Sequence, residues 1–293
     1  VPLALGTDGG GSIRIPCGFC GLCGIKPTFG RVPAWPASPF GTVAHVGPMA
    51  RTVADTALLL DVLSEPDPRD WNALPPPLTS YADTLEQGIA GLRIAFSPAL
   101  GHATVAPEVA AKVEAAARKL EDLGAHVELE DPPFDDPRDT YETMWFAGAA
   151  SALTTIGDPP AHTIDPGLAA IADQGRGTPI VDYLAALQAR DRLAIGMSEF
   201  LSRYDLLVTP TLPIVAFEAG REVPDGWPEE RWPSWTPFTY PFNLSQQPAA
   251  TVPCGFAGGL PVGLQIVGAR HADALVLRAA RAYEAAAPQP TLA

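Results

Sequence analysis

Leu5-Gly6-Thr7-Asp8-Gly9-Gly10-Gly11-Ser12-Ile13-Arg14-Ile15-Pro16 stands near the start of the chain. Three consecutive glycines deliver a serine, and an arginine and a proline follow at short intervals. Glycine tolerates positive φ and lacks a Cβ, so such a run lets several backbone N–H groups converge on one point. Converging N–H groups form an anion hole, which suits a developing oxyanion. A serine at the end of that hole is placed to attack a carbonyl carbon. The alternative is a flexible loop in which Ser12 only caps the next element.

The chemistry around this stretch narrows by exclusion. A phosphate loop needs Gly-Lys-Ser/Thr after its glycines, and here Gly11 is followed directly by Ser12. Gly-x-Ser-x-Gly is met at Gly10, Gly11 and Ser12, but Arg14 replaces the last glycine, which argues against an α/β-hydrolase elbow. His45, His102, His126, His162 and His271 are isolated and form no zinc motif. A serine without a committed histidine needs another base, and a deprotonated lysine is the alternative. Lys26, the nearest lysine, sits beside Pro27 in an extended segment and reads as structural. Cys17-x-x-Cys20-x-x-Cys23 invites a metal reading. The fourth cysteine, Cys254, is distant and the intervening residues are small or apolar, so the expectation is no metal and buried thiols.

Composition bounds the rest. The 293 residues carry 19 Lys and Arg against 33 Asp and Glu, a net charge of −14, and 47% are hydrophobic. An acidic chain lacks the cations that neutralise phosphates, so neither nucleic acid nor an anionic membrane is an expected partner. No apolar run reaches the roughly 20 residues of a membrane span. Cysteine usage implies no disulfide scaffold and points to a reducing cytoplasm. The opening Val1-Pro2 and the early motif point to the later portion of a longer chain, or to a processed one.

Further along, Thr52-Val53-Ala54-Asp55 caps an apolar helix from Val53 to Leu63. Leu92–Phe96, an amphipathic helix after Pro107 and His126–Leu129 form a strand–helix–strand unit, implying parallel strands. That helix places Val109, Val113, Ala116, Leu120 and Leu123 on one face, with Glu108→Lys112 and Glu114→Arg118 as exposed pairs. Residues 138–156 read as helix and 159–166 as loop. Thr178-Pro179 opens a long helix with Val181, Leu184, Leu187, Ile195 and Leu201 available for packing. Leu206–Thr211 is a buried strand. Residues 218–241, with Trp227, Trp232 and Trp235, form a long loop that either rims the body or walls a pocket. Two strands joined at Gly258-Gly259 and a helix after Asp273 complete the chain. Residues 25–33 read as extended or turn, and 34–50 as loop, because of their prolines and glycines.

The first motif, with Gly24-Ile25-Lys26-Pro27-Thr28-Phe29-Gly30-Arg31 and His45-Val46-Gly47-Pro48-Met49, resembles the amidase signature family. Asp205–Thr211, Pro241-Phe242-Asn243-Leu244-Ser245 and Gly259–Gln265 extend the resemblance in order along the chain. It implies an α/β/α sandwich around a large mixed sheet, and a Ser–cis-Ser–Lys triad that hydrolyses amides through an acyl-enzyme without a cofactor. By this resemblance Ser12 matches the nucleophile, and the N–H groups of Gly9, Gly10, Gly11 and Ser12 match the oxyanion hole. Thr7, Asp8 and Arg14 would brace the loop. Gly9 departs from the family pattern, which usually carries threonine or a larger residue there, and is expected to loosen the hole.

The family's lysine and bridging serine precede the nucleophile motif, and neither is in this chain. Residues 1–293 are therefore expected to be the C-terminal portion of a single amidase domain, completed by an N-terminal segment of the same protein. Stand-alone amidase action on an aryl or aliphatic amide is the leading expectation. The alternatives are the A-type subunit of a glutamine-dependent aminoacyl-tRNA amidotransferase and a non-catalytic fragment. A homo-oligomer stays open.

Overall fold

The computed structural model describes residues 1–157 and 159–287. In chain order the elements are β1 (Leu3–Asp8), α1 (Arg14–Cys20), β2 (Cys23–Lys26), β3 (His45–Ala50), α2 (Val53–Leu63) and the short α3 (Tyr81–Thr84). There follow β4 (Arg93–Phe96), α4 (Pro107–Asp122), β5 (His126–Leu129), α5 (Arg138–Thr155), α6 (Pro166–Arg176) and α7 (Ile180–Phe200). The chain continues through β6 (Leu206–Pro210), α8 (Tyr240–Leu244), β7 (Ala249–Ala257), β8 (Leu260–Gly268) and α9 (Asp273–Ala286).

The strands form one mixed sheet in the order β1-β3-β2-β7-β8-β6-β4-β5. Alternation along the central strands shows why both faces are covered. Ile94, Phe96, Leu206, Val208, Leu264 and Ile266 join a core with Val53 and Leu60 of α2, Val113 and Leu120 of α4, and Val276 and Leu277 of α9. Ala95, Leu207, Ala249 and Val267 turn the other way, onto Tyr141 and Met144 of α5, Met197 and Phe200 of α7, and Phe242 of α8. The architecture is an α/β/α sandwich.

The expected strand–helix–strand unit is present: β4 and β5 run parallel, in register from Arg93↔His126 to Phe96↔Leu129. α4 buries Val109, Val113, Ala116 and Leu120, and Arg118 pairs with Glu114 at 2.7 Å. α2 is capped by Thr52, whose Oγ1 accepts from the Asp55 N–H at 3.1 Å and donates to the Asp55 carboxylate at 2.7 Å. α7 packs differently from the expectation. Val181, Leu184 and Ile195 are 67%, 50% and 58% exposed, and the buried face is Ala186, Arg190, Leu193, Met197 and Phe200. Buried Arg190 sits on that face because its guanidinium donates to Leu244 O at 2.6 Å, Thr42 Oγ1 at 2.6 Å and Thr42 O at 3.2 Å.

Residues 34–50 are only partly loop. His45–Ala50 form β3, paired antiparallel with β1 from Leu3↔Ala50 to Asp8↔His45. The ladder to β1 runs through Pro48, whereas the ladder to β2 stops at Gly24↔Met49. A proline lacks the N–H that the second ladder would need, so it is tolerated where pairing on one side ends. Residues 159–166 contain a single 3-10 turn, and α6 then starts at Pro166, capped by Asp165, which accepts from the Leu168 N–H at 2.9 Å.

Candidate active site

β1 leads directly into the glycine run, and α1 leads away from it. This strand–loop–helix arrangement presents Ser12 at the surface, while Gly9, Gly10 and Gly11 are buried. α1 has no side-chain cap, so Ser12 does not serve as a helix cap. Its hydroxyl has no hydrogen-bond partner among the described residues.

The three glycines are required for different reasons. Gly11 has φ +138°, a conformation side chains resist. Gly9 and Gly10 are required for space: a Cβ on Gly9 would overlap the Trp145 ring, and one on Gly10 would overlap the Tyr141 hydroxyl. Gly9 therefore leaves no gap in the loop, contrary to the expected loosening, because Trp145 of α5 fills the place a side chain would take. Behind Trp145, Tyr141 stacks at 5.6 Å, Trp232 meets it edge-on at 5.9 Å and Phe40 stacks at 4.1 Å. Trp232 of the 218–241 loop thus joins the wall beside the glycines, and Trp235 stacks on Phe19 instead.

A buried polar network holds the loop from below. The Asp8 carboxylate accepts from Gly11 N–H at 2.7 Å, Ile13 N–H at 3.3 Å, and Arg14 Nε and Nη2, each at 3.0 Å. Arg14 also donates to Thr239 O and Gln265 Oε1, both at 2.9 Å, and to Asn243 Oδ1 at 2.6 Å. Asn243 Nδ2 returns to Asp8 O at 2.9 Å and Asp8 Oδ1 at 2.8 Å. Thr239 Oγ1 donates to Gly10 O at 2.6 Å. Asp8 and Arg14 are both fully buried, so the pair is sustained by these extra bonds. Burial of Asp8 opposes ionisation, but the Arg14 charge and the bonds from Arg14 and Asn243 outweigh it, and the carboxyl lies well below the usual carboxylate range.

The network also divides the four backbone N–H groups. The Gly11 N–H is committed to Asp8. Those of Gly9, Gly10 and Ser12 find no acceptor among the described residues. Thr7 pairs with Val46 in the sheet, and its side chain is exposed and unbonded among the described residues. Lys26 is fully buried on β2, where Nζ donates to Gln247 O and, at 3.3 Å, to Pro27 O. Burial pushes its amine well below the ordinary lysine value. Cys17, Cys23 and Cys254 are buried, Cys20 is exposed, and all four thiols are free. Burial pushes Cys17 up to about 12. No group of three His, Cys, Asp or Glu among the described residues is arranged to hold a metal.

His45, opposite Asp8 in the ladder, is another buried titratable group beside the loop. Its Nδ1 lies 2.8 Å from Val43 O and so carries the proton, and burial, reinforced by Lys26, holds the ring's pKa well below its ordinary value. Both shifts act on stability with the same sign. Unfolded His45 takes up a proton below about pH 6.5, and unfolded Asp8 below about pH 4, where the folded groups do not. Stability is thus expected to fall as pH drops below about 6.5, and more steeply below about 4. Thermal melts between pH 8 and 3 check this; a Tm that is flat or rising toward acid contradicts it.

A glycine-rich serine loop at the edge strand of an α/β/α sheet, tied down by a buried Asp–Arg pair, defines the class. The Amidase family profile matches residues 1–277, and the chain belongs to that family, the amidase signature enzymes. It is 38% identical over 98% of its length to an acylamidase of Rhodococcus erythropolis, and 36% identical over 96% to the A-type subunit of the glutamyl-tRNA(Gln) amidotransferase of Moorella thermoacetica. Among solved structures it superposes on a bacterial aryl acylamidase with TM-score 0.87 and 33% identity, covering 99% of this chain and 63% of that one. A 6-aminohexanoate cyclic dimer hydrolase gives TM-score 0.89 at 28% identity, covering 98% and 65%. The chain spans 62% of the length of both named sequence relatives.

Asn243 and Gln265 lie in stretches that carry the family resemblance, and Thr239 lies in the 218–241 loop, but the sequence gives none of them a role in bracing the nucleophile loop. The available signal is polarity in apolar surroundings: Gln265 interrupts Val262–Val267, and Asn243 sits between Phe242 and Leu244.

Proposed function

We propose that this chain carries the nucleophile and oxyanion donors of an amidase that hydrolyses a carboxylic amide to an acid and ammonia or an amine. The observation that carries it is the exposed Ser12 beside three N–H groups that have no acceptor among the described residues, on a loop anchored by the buried Asp8–Arg14 pair. Ser12 Oγ attacks the amide carbon, and the oxyanion is met by the N–H groups of Gly9, Gly10 and Ser12, Gly11 being committed to Asp8. The serine proton passes through a base to the leaving nitrogen, and water then releases the acid from the acyl-enzyme. The base and bridging serine belong to an N-terminal segment of the same domain. The Ser12 hydroxyl, without a partner among the described residues, and the relatives' greater length support that reading. Four free thiols suit a reducing cytoplasm.

The full-length protein is expected to release amine from simple aryl and aliphatic amides without a partner. The similarity to an amidotransferase component supports a second reading, and ammonia release from glutamine only in the presence of a co-purifying partner would favour it. Gly10→Ala is expected to lower kcat about 100-fold, because the added methyl must displace the loop or the packed Tyr141 ring. Steady-state kinetics check this, and a kcat within threefold of wild type contradicts it.

A further inference from the structure

Tyr141 of α5 carries a hydroxyl that the fold leaves unused. The side chain is fully buried, and its Oη has no hydrogen-bond partner among the described residues. Tyr240, stacked on it at 5.0 Å, is the contrast, since its hydroxyl donates to Asp136 at 2.6 Å. Buried hydroxyls are ordinarily paired, because a donor removed from water without a replacement acceptor costs free energy. Burial also holds the Tyr141 phenol well above its ordinary value, so the group stays protonated and can only be waiting for an acceptor.

Its position indicates which acceptor. Oη lies against Gly10 of the nucleophile loop, in the place a Cβ would take. The Gly10 carbonyl accepts from Thr239 Oγ1 at 2.6 Å and not from Tyr141. Trp232 closes the remaining side: its Cη2 would lie 2.8 Å from the same Cβ, and its ring meets Tyr141 edge-on at 5.9 Å. Trp227 and Trp235 of the same loop are pinned by their indole N–H groups, to Ser234 Oγ at 2.8 Å and Glu222 O at 2.9 Å. The Trp232 indole N–H has no partner among the described residues, and the ring is half-buried. The cover over the hydroxyl is thus a ring held by packing alone.

We propose that Tyr141 is a catalytic residue: its hydroxyl donates to the oxyanion beside the N–H groups of Gly9, Gly10 and Ser12, once substrate turns the Trp232 ring aside. This rests on the amidase reading and adds a side-chain donor to it. Attack by Ser12 Oγ breaks the carbonyl π bond and places its electron pair on the oxygen. The phenol meets that charge with a hydrogen bond and keeps its proton. When the intermediate collapses the pair returns to the carbonyl, the leaving nitrogen departs, and Tyr141 is unchanged. The ground-state carbonyl carries less charge than the oxyanion, so the bond strengthens in the transition state and its loss falls on kcat.

Tyr141→Phe in the full-length protein removes the hydroxyl and keeps the ring stack. With acetanilide its kcat is expected to fall about 100-fold, the scale of one oxyanion donor, with KM within threefold of wild type. Its Tm is expected to be unchanged or higher, because the hydroxyl has no partner to lose. Phenylboronic acid, which forms a tetrahedral anion on a serine, is expected to bind Tyr141→Phe at least tenfold more weakly than wild type. Benzoate, which forms no such adduct, is expected to bind both alike. The boronate is also expected to change tryptophan emission less in Trp232→Phe than in wild type; an equal change would leave the hydroxyl covered and overturn the proposal. A kcat within threefold of wild type with equal boronate binding would overturn it while the amidase reading stands. So would a lowered Tm with kcat retained, which would give the hydroxyl a structural acceptor. Neither hydrolysis nor a boronate adduct on Ser12 in the wild type would remove the amidase reading, and this proposal with it.

Discussion

Ser12→Ala in the full-length protein is expected to lower kcat for amide hydrolysis by about 10⁴- to 10⁶-fold, the range seen when a serine nucleophile is removed from a working site. Its Tm is expected to stay within about 1 °C of wild type, because exposed substitutions without partners change stability by less than about 0.5 kcal/mol. Ser12 meets that condition: it is exposed, and its hydroxyl is unpartnered among the described residues. The two readouts together separate chemistry from folding. A small loss of rate would move the nucleophile elsewhere, and a large loss of Tm would make Ser12 a structural residue.

Asp8→Ala should do the opposite and cost folding first. It leaves the fully buried Arg14 without its carboxylate and frees the Gly11 and Ile13 N–H groups inside the protein. Breaking one side of a buried pair typically costs about 3–5 kcal/mol. At about 2–4 °C per kcal/mol for a large domain, the Tm should fall by roughly 10 °C. Removing the pair together, as Asp8→Ala with Arg14→Met, should cost less than the sum of the single changes, since no charge is then stranded. Denaturant melts of the four proteins check this; strict additivity would mean that the two side chains do not act as a unit. Activity should be lost in Asp8→Ala even below its Tm, because the carboxylate fixes the Gly11 N–H and with it the direction of the neighbouring donors.

How much of this was legible in the sequence follows from the range of each interaction. α2, α4 and the β4–α4–β5 unit rest on caps, periodicity and turn residues within a few positions of each other, and they appear with nearly the expected bounds. β3 was hidden by Gly47 and Pro48, which mark loops unless a strand's pairing ends on one side. In α7 the expected Leu187 packs on the core, as does Leu201 just beyond the helix, but Val181, Leu184 and Ile195 face outward while a buried arginine faces in. The candidate site shows the same division. Asp8, Gly11 and Arg14 are neighbours in sequence, but Arg14 is completed by Thr239, Asn243 and Gln265, at separations of 225, 229 and 251 residues. No local pattern links positions so far apart. The glycine run was legible as a loop, yet two of its three glycines are explained by Trp145 and Tyr141, which the fold brings over from α5.

The most direct measurement treats the full-length protein with a fluorophosphonate and maps the adduct by peptide mass spectrometry. A single adduct on Ser12, blocked by a competing amide and absent from Gly10→Ala at short reaction times, is the predicted result. An adduct on another residue, or none in a protein that still hydrolyses amides, would contradict the assignment of Ser12 as the nucleophile.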